Sequence, residues 1–188
     1  MTTEPVRRSL LHGLVLMLLL AVWAPGGLRA QGVDLATLEL HRNDGELTLD
    51  FEVRLTLPKA VEDALQRGVP MYFVAQAALY RQRWYWRDER IARVTRSWRI
   101  AYQPLTSTWR VGFGGFNQNF QTLAEALSTL SRSSRWKVAE LVQLDPDSRH
   151  YLEFSYRLDN SQLPSPLQIG LGGQADWSLD VERTLRIE

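Results

Sequence analysis

The most regular pattern of apolar and polar positions lies between Leu47 and Leu57. There Leu47, Leu49, Phe51, Val53, Leu55 and Leu57 alternate with Thr48, Asp50, Glu52, Arg54 and Thr56. Successive side chains of a strand point to opposite faces, so a period of two predicts a β-strand with one buried and one wet face. Asp34 to Arg42 reads as its partner, with Ala36, Leu38 and Leu40 on one face. Asn43-Asp44-Gly45 between them tolerates the positive φ that a tight hairpin turn needs. Pro58 closes the second strand. Ala60, Val61, Ala64 and Leu65 then share one face of a short helix, and Gly68 suits the left-handed residue past its end.

A second hairpin, Met71 to Tyr102, stands at the centre of the predicted domain. Its first arm, Val69 to Arg83, is apolar on both faces through Phe73, Val74, Ala75, Ala77, Ala78 and Leu79, which predicts a central strand covered on both sides. Its second arm, Ile91 to Tyr102, turns Val94, Trp98, Ile100 and Tyr102 inward. Arg96 falls on that same face and needs a partner if buried. Trp84 to Glu89 joins the arms. Pro104 to Thr108 reads as a turn, Trp109 to Phe113 as a short strand, and Gly112, Gly114, Gly115 and Asn117 to Asn119 as loop. Thr122 with Glu125 forms a capping box ahead of Leu123, Ala126, Leu127 and Leu130, a second amphipathic helix. Trp136 to Leu144 and Tyr151 to Leu158 are further strands about the Asp145-Pro146-Asp147 turn. Leu163 to Leu167 is held extended by Pro164 and Pro166. Gly170 to Gly173 leads into a last strand, Trp177 to Ile187, with Trp177, Leu179, Val181, Leu185 and Ile187 in phase. The sum is a mainly β chain (α+β at the margin), an antiparallel β-sandwich of about eight strands with two short amphipathic helices.

The first 30 residues follow another logic. Arg7 and Arg8 precede an apolar run from Leu10 to Trp23, Pro25-Gly26-Gly27 breaks it, and Ala30 offers a small residue before Gln31. The run is too short for a membrane-spanning helix, so 1–30 reads as a signal peptide cleaved after Ala30, with 31–188 a single β-rich domain. An uncleaved anchor is the alternative, and the twin arginine suggests a second export route less well than the general one. The expected location is the periplasm, with membrane contact only through the leader.

Cleavage alters the charge. Three of 22 basic residues and one of 21 acidic residues leave with the leader, giving 19 against 20 and a net charge of about −1. A near-neutral domain makes no case for nucleic acid. With no cysteine there is no disulfide, lipid-modified cysteine or thiol nucleophile. His41 and His150 lie outside any ligand-spaced cluster, so no metal and no cofactor is expected. Calcium on Asp145, Asp147 and Asp159 is the one metal alternative, against an ordinary solvated turn. Ser134-Arg135-Trp136-Lys137 spells the S-x-x-K of penicillin-binding enzymes without their companion motifs, and reads as chance. Gly112-Phe113-Gly114-Gly115 lacks the lysine of a phosphate loop.

One stretch remains as a binding candidate. Arg81, Arg83, Arg87, Arg90, Arg93, Arg96 and Arg99 face only Asp88 and Glu89, and Trp84, Tyr85 and Trp86 interleave with them. Arginine beside tryptophan suits carboxylate-bearing or ring-containing partners through forked hydrogen bonds and stacking. The candidate surface is Arg83, Trp84, Tyr85, Trp86, Arg87, Asp88 and Arg90. The plainer alternative packs Trp84 and Trp86 under a loop and pairs Asp88 and Glu89 with nearby arginines. Lysine is nearly absent (Lys59 and Lys137 only), so the arginine excess partly reflects composition.

The pieces Gly68-Val69-Pro70, Tyr80 to Trp86 with Asp88-Glu89, Tyr102 with Leu105-Thr106, Thr122 to Leu127, and Asp159 to Gln168 resemble the proteobacterial domain of unknown function 4390 family over nearly the whole mature chain. The resemblance implies a signal-peptide-bearing protein with no assigned activity and no catalytic residues to carry over. It also implies genes lying near that of a membrane sensor kinase of a two-component system. The expected function is therefore a non-catalytic protein-interaction module of the cell envelope, with an envelope protein as partner. A carbohydrate-binding or carbohydrate-active protein, with Asp88 and Glu89 as acid and base, is the alternative. A small outer-membrane barrel is the third reading, and the two helices interrupt its pattern.

Overall fold

The alternation of Leu47, Leu49, Phe51 and Val53 is realised as a strand whose inward side chains are almost wholly buried. The computed structural model describes residues 32–163 and 177–187. All fall within the unit Gln31–Glu188. The leader, Pro164, Pro166 and the glycines from 170 to 173 lie outside the described residues. Nine strands are described: β1 (Gly32–Asn43), β2 (Glu46–Thr56), β3 (Met71–Arg81), β4 (Glu89–Gln103), β5 (Thr108–Phe113), β6 (Phe116–Phe120), β7 (Arg132–Glu140), β8 (His150–Leu158) and β9 (Asp180–Ile187). Two helices, α1 (Lys59–Gln66) and α2 (Leu123–Leu130), join them.

The strands form two antiparallel sheets, ordered β1-β2-β7 and β6-β5-β4-β3-β8-β9. β3 lies between β4 and β8, as its two apolar faces require. The predicted sandwich is the fold. Its core centres on Phe51, whose ring lies 5.0 Å from Phe154, 6.0 Å from Tyr156 and Trp136, and 6.3 Å from Trp98. One aromatic side chain of the smaller sheet thus meets three strands' worth of partners. Among the described residues both sheets keep open edges, whereas a barrel needs one closed ladder.

Local signals act as expected at the turns and caps. Asp44 and Gly45 both have positive φ (51° and 81°), the geometry of a tight hairpin. At the end of α1, Gly68 (φ 84°) lets its own N–H reach Leu65 O at 2.8 Å and Val69 N–H reach Ala64 O at 3.1 Å, the paired bonds that close a helix C-terminus. Thr122 and Glu125 make the reciprocal capping bonds of α2.

Four readings need correction. A bulge between Leu35 and Thr37 turns Ala36 out to solvent, so Val33 and Leu35, then Leu38 and Leu40, form the inward set. Asn117 to Asn119 is not loop but the edge strand β6, paired with β5 through a Gly114-Gly115 turn (φ 55° and 87°), which raises the strand count to nine. Gly112 sits within β5, where an added Cβ would come 2.9 Å from Asn117 Oδ1. The strand expected from Trp136 to Leu144 begins instead at Arg132 and ends at Glu140, with Leu141–Gln143 a 3-10 turn. Its polar start is accommodated by an extra residue opposite Asp50, whose carboxylate accepts the Arg135 N–H at 2.7 Å.

Candidate functional site

The β3–β4 connection is built from a firm base and a bare tip. Arg81 pairs with Glu89 in register, and Gln82 N–H donates to Arg149 O at 2.8 Å, which extends the ladder toward β8. Asp88 then closes the loop. One of its oxygens accepts the Arg83 N–H at 3.1 Å and the other accepts the Tyr151 hydroxyl at 2.7 Å. Tyr151 in turn stacks on Tyr80, rings 5.2 Å apart and 14° from parallel. Glu89 receives the guanidinium of Arg81 at 3.4 Å and that of Arg83 on the same oxygen.

The tip has no such cover. Trp84, Tyr85 and Trp86 are 91%, 67% and 75% exposed. Among the described residues their one ring contact is Trp84 to Tyr85, edge-on at 5.1 Å. Large aromatic side chains bury 150–250 Å² when packed, so three in a row left in water are informative where an isolated one would not be. The packing of Trp84 and Trp86 under a loop does not occur. The pairing of the acids occurs in part: Glu89 binds two arginines, while Asp88 takes a backbone N–H and a phenol.

The seven candidate residues therefore divide by role. Arg83 and Asp88 hold the loop. Trp84, Tyr85 and Trp86 form its crest, with exposed Arg87 beside them and Arg90 on the outer face opposite Tyr80. Among the described residues no carboxylate lies within ion-pair distance of Arg87 or Arg90. The tip is aromatic and positively charged.

Its acids are ill suited to proton transfer. The Arg83 N–H and the Tyr151 hydroxyl both favour the ionised form of Asp88 and hold its carboxyl below the usual range. Burial and the Asp88 carboxylate push the Tyr151 hydroxyl far up. A general acid at neutral pH needs the opposite shift in its carboxyl. Both carboxylates are also already engaged, Asp88 by the Arg83 N–H and the Tyr151 hydroxyl and Glu89 by the guanidiniums of Arg81 and Arg83.

Other sequence candidates resolve into local structure. Lys137 is tied to Glu46 at 2.7 Å and to Glu140, and these carboxylates raise its pKa, which opposes a role as base to Ser134. Asp145 accepts from Asp147 N–H and Ser148 Oγ within its own turn. Asp159 caps a 3-10 turn through Ser161 and Gln162. Among the described residues no group of three or more potential ligands gathers around a metal-sized space.

Residues 30–186 match the model of Domain of unknown function (DUF4390). The chain belongs to this family. No curated protein and no solved structure matches it significantly. For this DUF4390 chain the functional reading therefore rests on the geometry of its own residues.

Sequence reasoning did not find the Tyr80–Tyr151–Asp88 anchor. Its signal was present only as tyrosines on two strands, and their meeting depends on the β3–β8 register, Tyr80 opposite Tyr151.

Proposed function

We propose that this chain is an exported, non-catalytic binding domain of the cell envelope, and that it docks a protein partner on the Trp84-Tyr85-Trp86 crest with Arg87 and Arg90 alongside. The observation that carries the reading is the exposure of three consecutive large aromatics on a loop whose base is hydrogen-bonded on both sides. Tryptophan, tyrosine and arginine dominate binding hot spots because they bury much surface and lose few rotamers. A loop already fixed at Arg83 and Asp88 spends little further entropy on docking. Export is supported by the charged start, short apolar run and small residue before Gln31. A partner in the outer domain of a membrane sensor fits the family resemblance and the cationic tip.

The test places a photo-crosslinking residue at Tyr85 in cells expressing the full chain. The expected result is one crosslinked envelope protein, lost when Arg87→Glu and Arg90→Glu are introduced together while the domain keeps its circular dichroism. A crosslink unaffected by both charge reversals, or none at all, would sink the proposal. N-terminal sequencing of the envelope form should begin at Gln31; an intact Met1 in the cytosolic fraction would end the export reading.

A further inference from the structure

The six-stranded sheet overhangs the three-stranded one. β7, an edge of the smaller sheet, packs against β3 and β4, while β5 and β6 lie beyond β4 in the larger sheet. Helix α2 touches β5, β6 and β7 on that side. Between them runs an open groove of about 610 Å³. Trp98, Phe113 and Phe116 supply aromatic surface to it, and Arg132, Ser133 and Arg96 supply polar groups. Phe116 is 82% exposed.

Arg96 is the unusual member. Half-buried on the inward face of β4, it donates to Ser133 Oγ and lies 5.5 Å from the Phe113 ring centre and 5.2 Å from that of Trp136. Two aromatic faces and a serine fix the guanidinium without neutralising it. Among the described residues no carboxylate comes within 4.0 Å of it, and no Asp or Glu lines the groove. Burial accordingly depresses the pKa of Arg96. A guanidinium has five N–H donors in a planar fork, and Ser133 occupies only one side of it. The unmet need is for a planar anion carried on something apolar.

We propose that this groove binds a carboxylate borne next to an aromatic or branched apolar group, with Arg96 on the carboxylate and Phe113 and Phe116 against the apolar part. A planar, singly charged carboxylate matches the fork in two parallel bonds. Such a ligand is either a free small acid or the end of a peptide chain. The groove is separate from the aromatic crest: Arg96 lies well along β4 from Glu89, roughly 20 Å at the rise of an extended strand.

The experiment is calorimetric titration of the full chain with N-acetyl-phenylalanine and with its uncharged amide. The acid should bind at least about 10-fold more tightly than the amide, because only it meets the fork. Arg96→Met, which keeps most of the stem between the two rings, should abolish that preference, and Arg96→Lys should restore part of it. Phe116→Ala should weaken acid and amide alike. A short peptide ending in phenylalanine separates the sources: tighter binding than the single residue assigns the groove to chain ends, and equal binding assigns it to free acids. Equal affinity for acid and amide, binding of neither at millimolar concentration, or an unchanged preference in Arg96→Met would each overturn the proposal. If Arg96→Met does not fold, Phe116→Ala decides, since its side chain is outside the core; unchanged acid affinity there overturns it equally.

Discussion

The Tyr151 hydroxyl on β8 donates to the Asp88 carboxylate at 2.7 Å and so fixes the end of the β3–β4 loop to a strand two places away in the sheet. The same phenol ring stacks on Tyr80. A single side chain therefore links the sheet's outer face to the loop that carries the aromatic crest. Tyr151→Phe keeps the stack and removes only the donor. The expected outcome is a melting temperature lowered by roughly 2–4 °C, together with faster amide exchange at residues 83–88 and unchanged exchange in β2. Mass-spectrometric hydrogen exchange checks this. Equal protection of 83–88 in both proteins would mean that the loop is held without Tyr151, by the Arg83 N–H to Asp88 together with Glu89 and Gln82.

Acid should weaken the fold in two steps. His150 is buried, and that burial, followed by the nearby Arg81 charge, holds its pKa below the ordinary 6.5; Asp145 and a hydrogen bond at Ser148 pull the other way. As pH falls below about 6.5 the unfolded chain takes up the proton before the folded one, so stability is full above that value and is lost down to the depressed folded pKa. Asp88 behaves likewise lower down: with its folded pKa below 3.8, its contribution is complete above that value and fades as pH drops through the folded one. Urea denaturation as a function of pH should show both slopes. His150→Gln should flatten the upper one and Asp88→Asn the lower. An upper slope identical in His150→Gln would assign it to another group.

Much of the fold was legible because β2, β3 and the caps obey local rules. The period of two in Leu47 to Val53, the two apolar faces of β3, Asp44-Gly45 and Thr122 with Glu125 each point to one structure. What could not be read was phase. An extra residue at Ala36 or at Ser134-Arg135 reverses which neighbours face inward, yet it leaves no mark in hydrophobicity. β6 was missed because its sequence, FNQNF, is mostly polar; as an edge strand on the overhang it has little core to face. The Trp84-Tyr85-Trp86 run was ambiguous for the opposite reason, since the same residues suit a core or a binding tip. Arg96 needs a partner on the inward face of its strand, but Ser133 lies 37 positions away and only the sheet packing brings it there.

Phe51 should be the residue the fold tolerates losing least. Its ring contacts Trp98, Trp136, Phe154 and Tyr156, and the side chain is 3% exposed. Removing it strips contacts from both sheets at once and leaves a cavity that rings on rigid strands cannot fill. Phe51→Ala should cost about 3–5 kcal/mol, measured from the denaturant midpoint at unchanged slope. A loss below about 1 kcal/mol would mean that the two sheets pack less closely than these ring distances require.

The crest should behave in the opposite way, and that contrast tests whether it is surface by design of the chain or a badly packed part of the core. Trp84 and Trp86 make no contact with Phe51, Trp98 or any other member of the central aromatic cluster, and they stand on a loop whose hydrogen bonds come from Arg83 and Asp88. Replacing both indoles with serine removes little buried area and no loop bond. Trp84→Ser with Trp86→Ser should shift stability by no more than about 0.5 kcal/mol each, and should reduce self-association in sedimentation runs because exposed aromatic clusters favour it. If the double variant instead loses several kcal/mol, the indoles are buried in solution and the loop cannot serve as a docking tip.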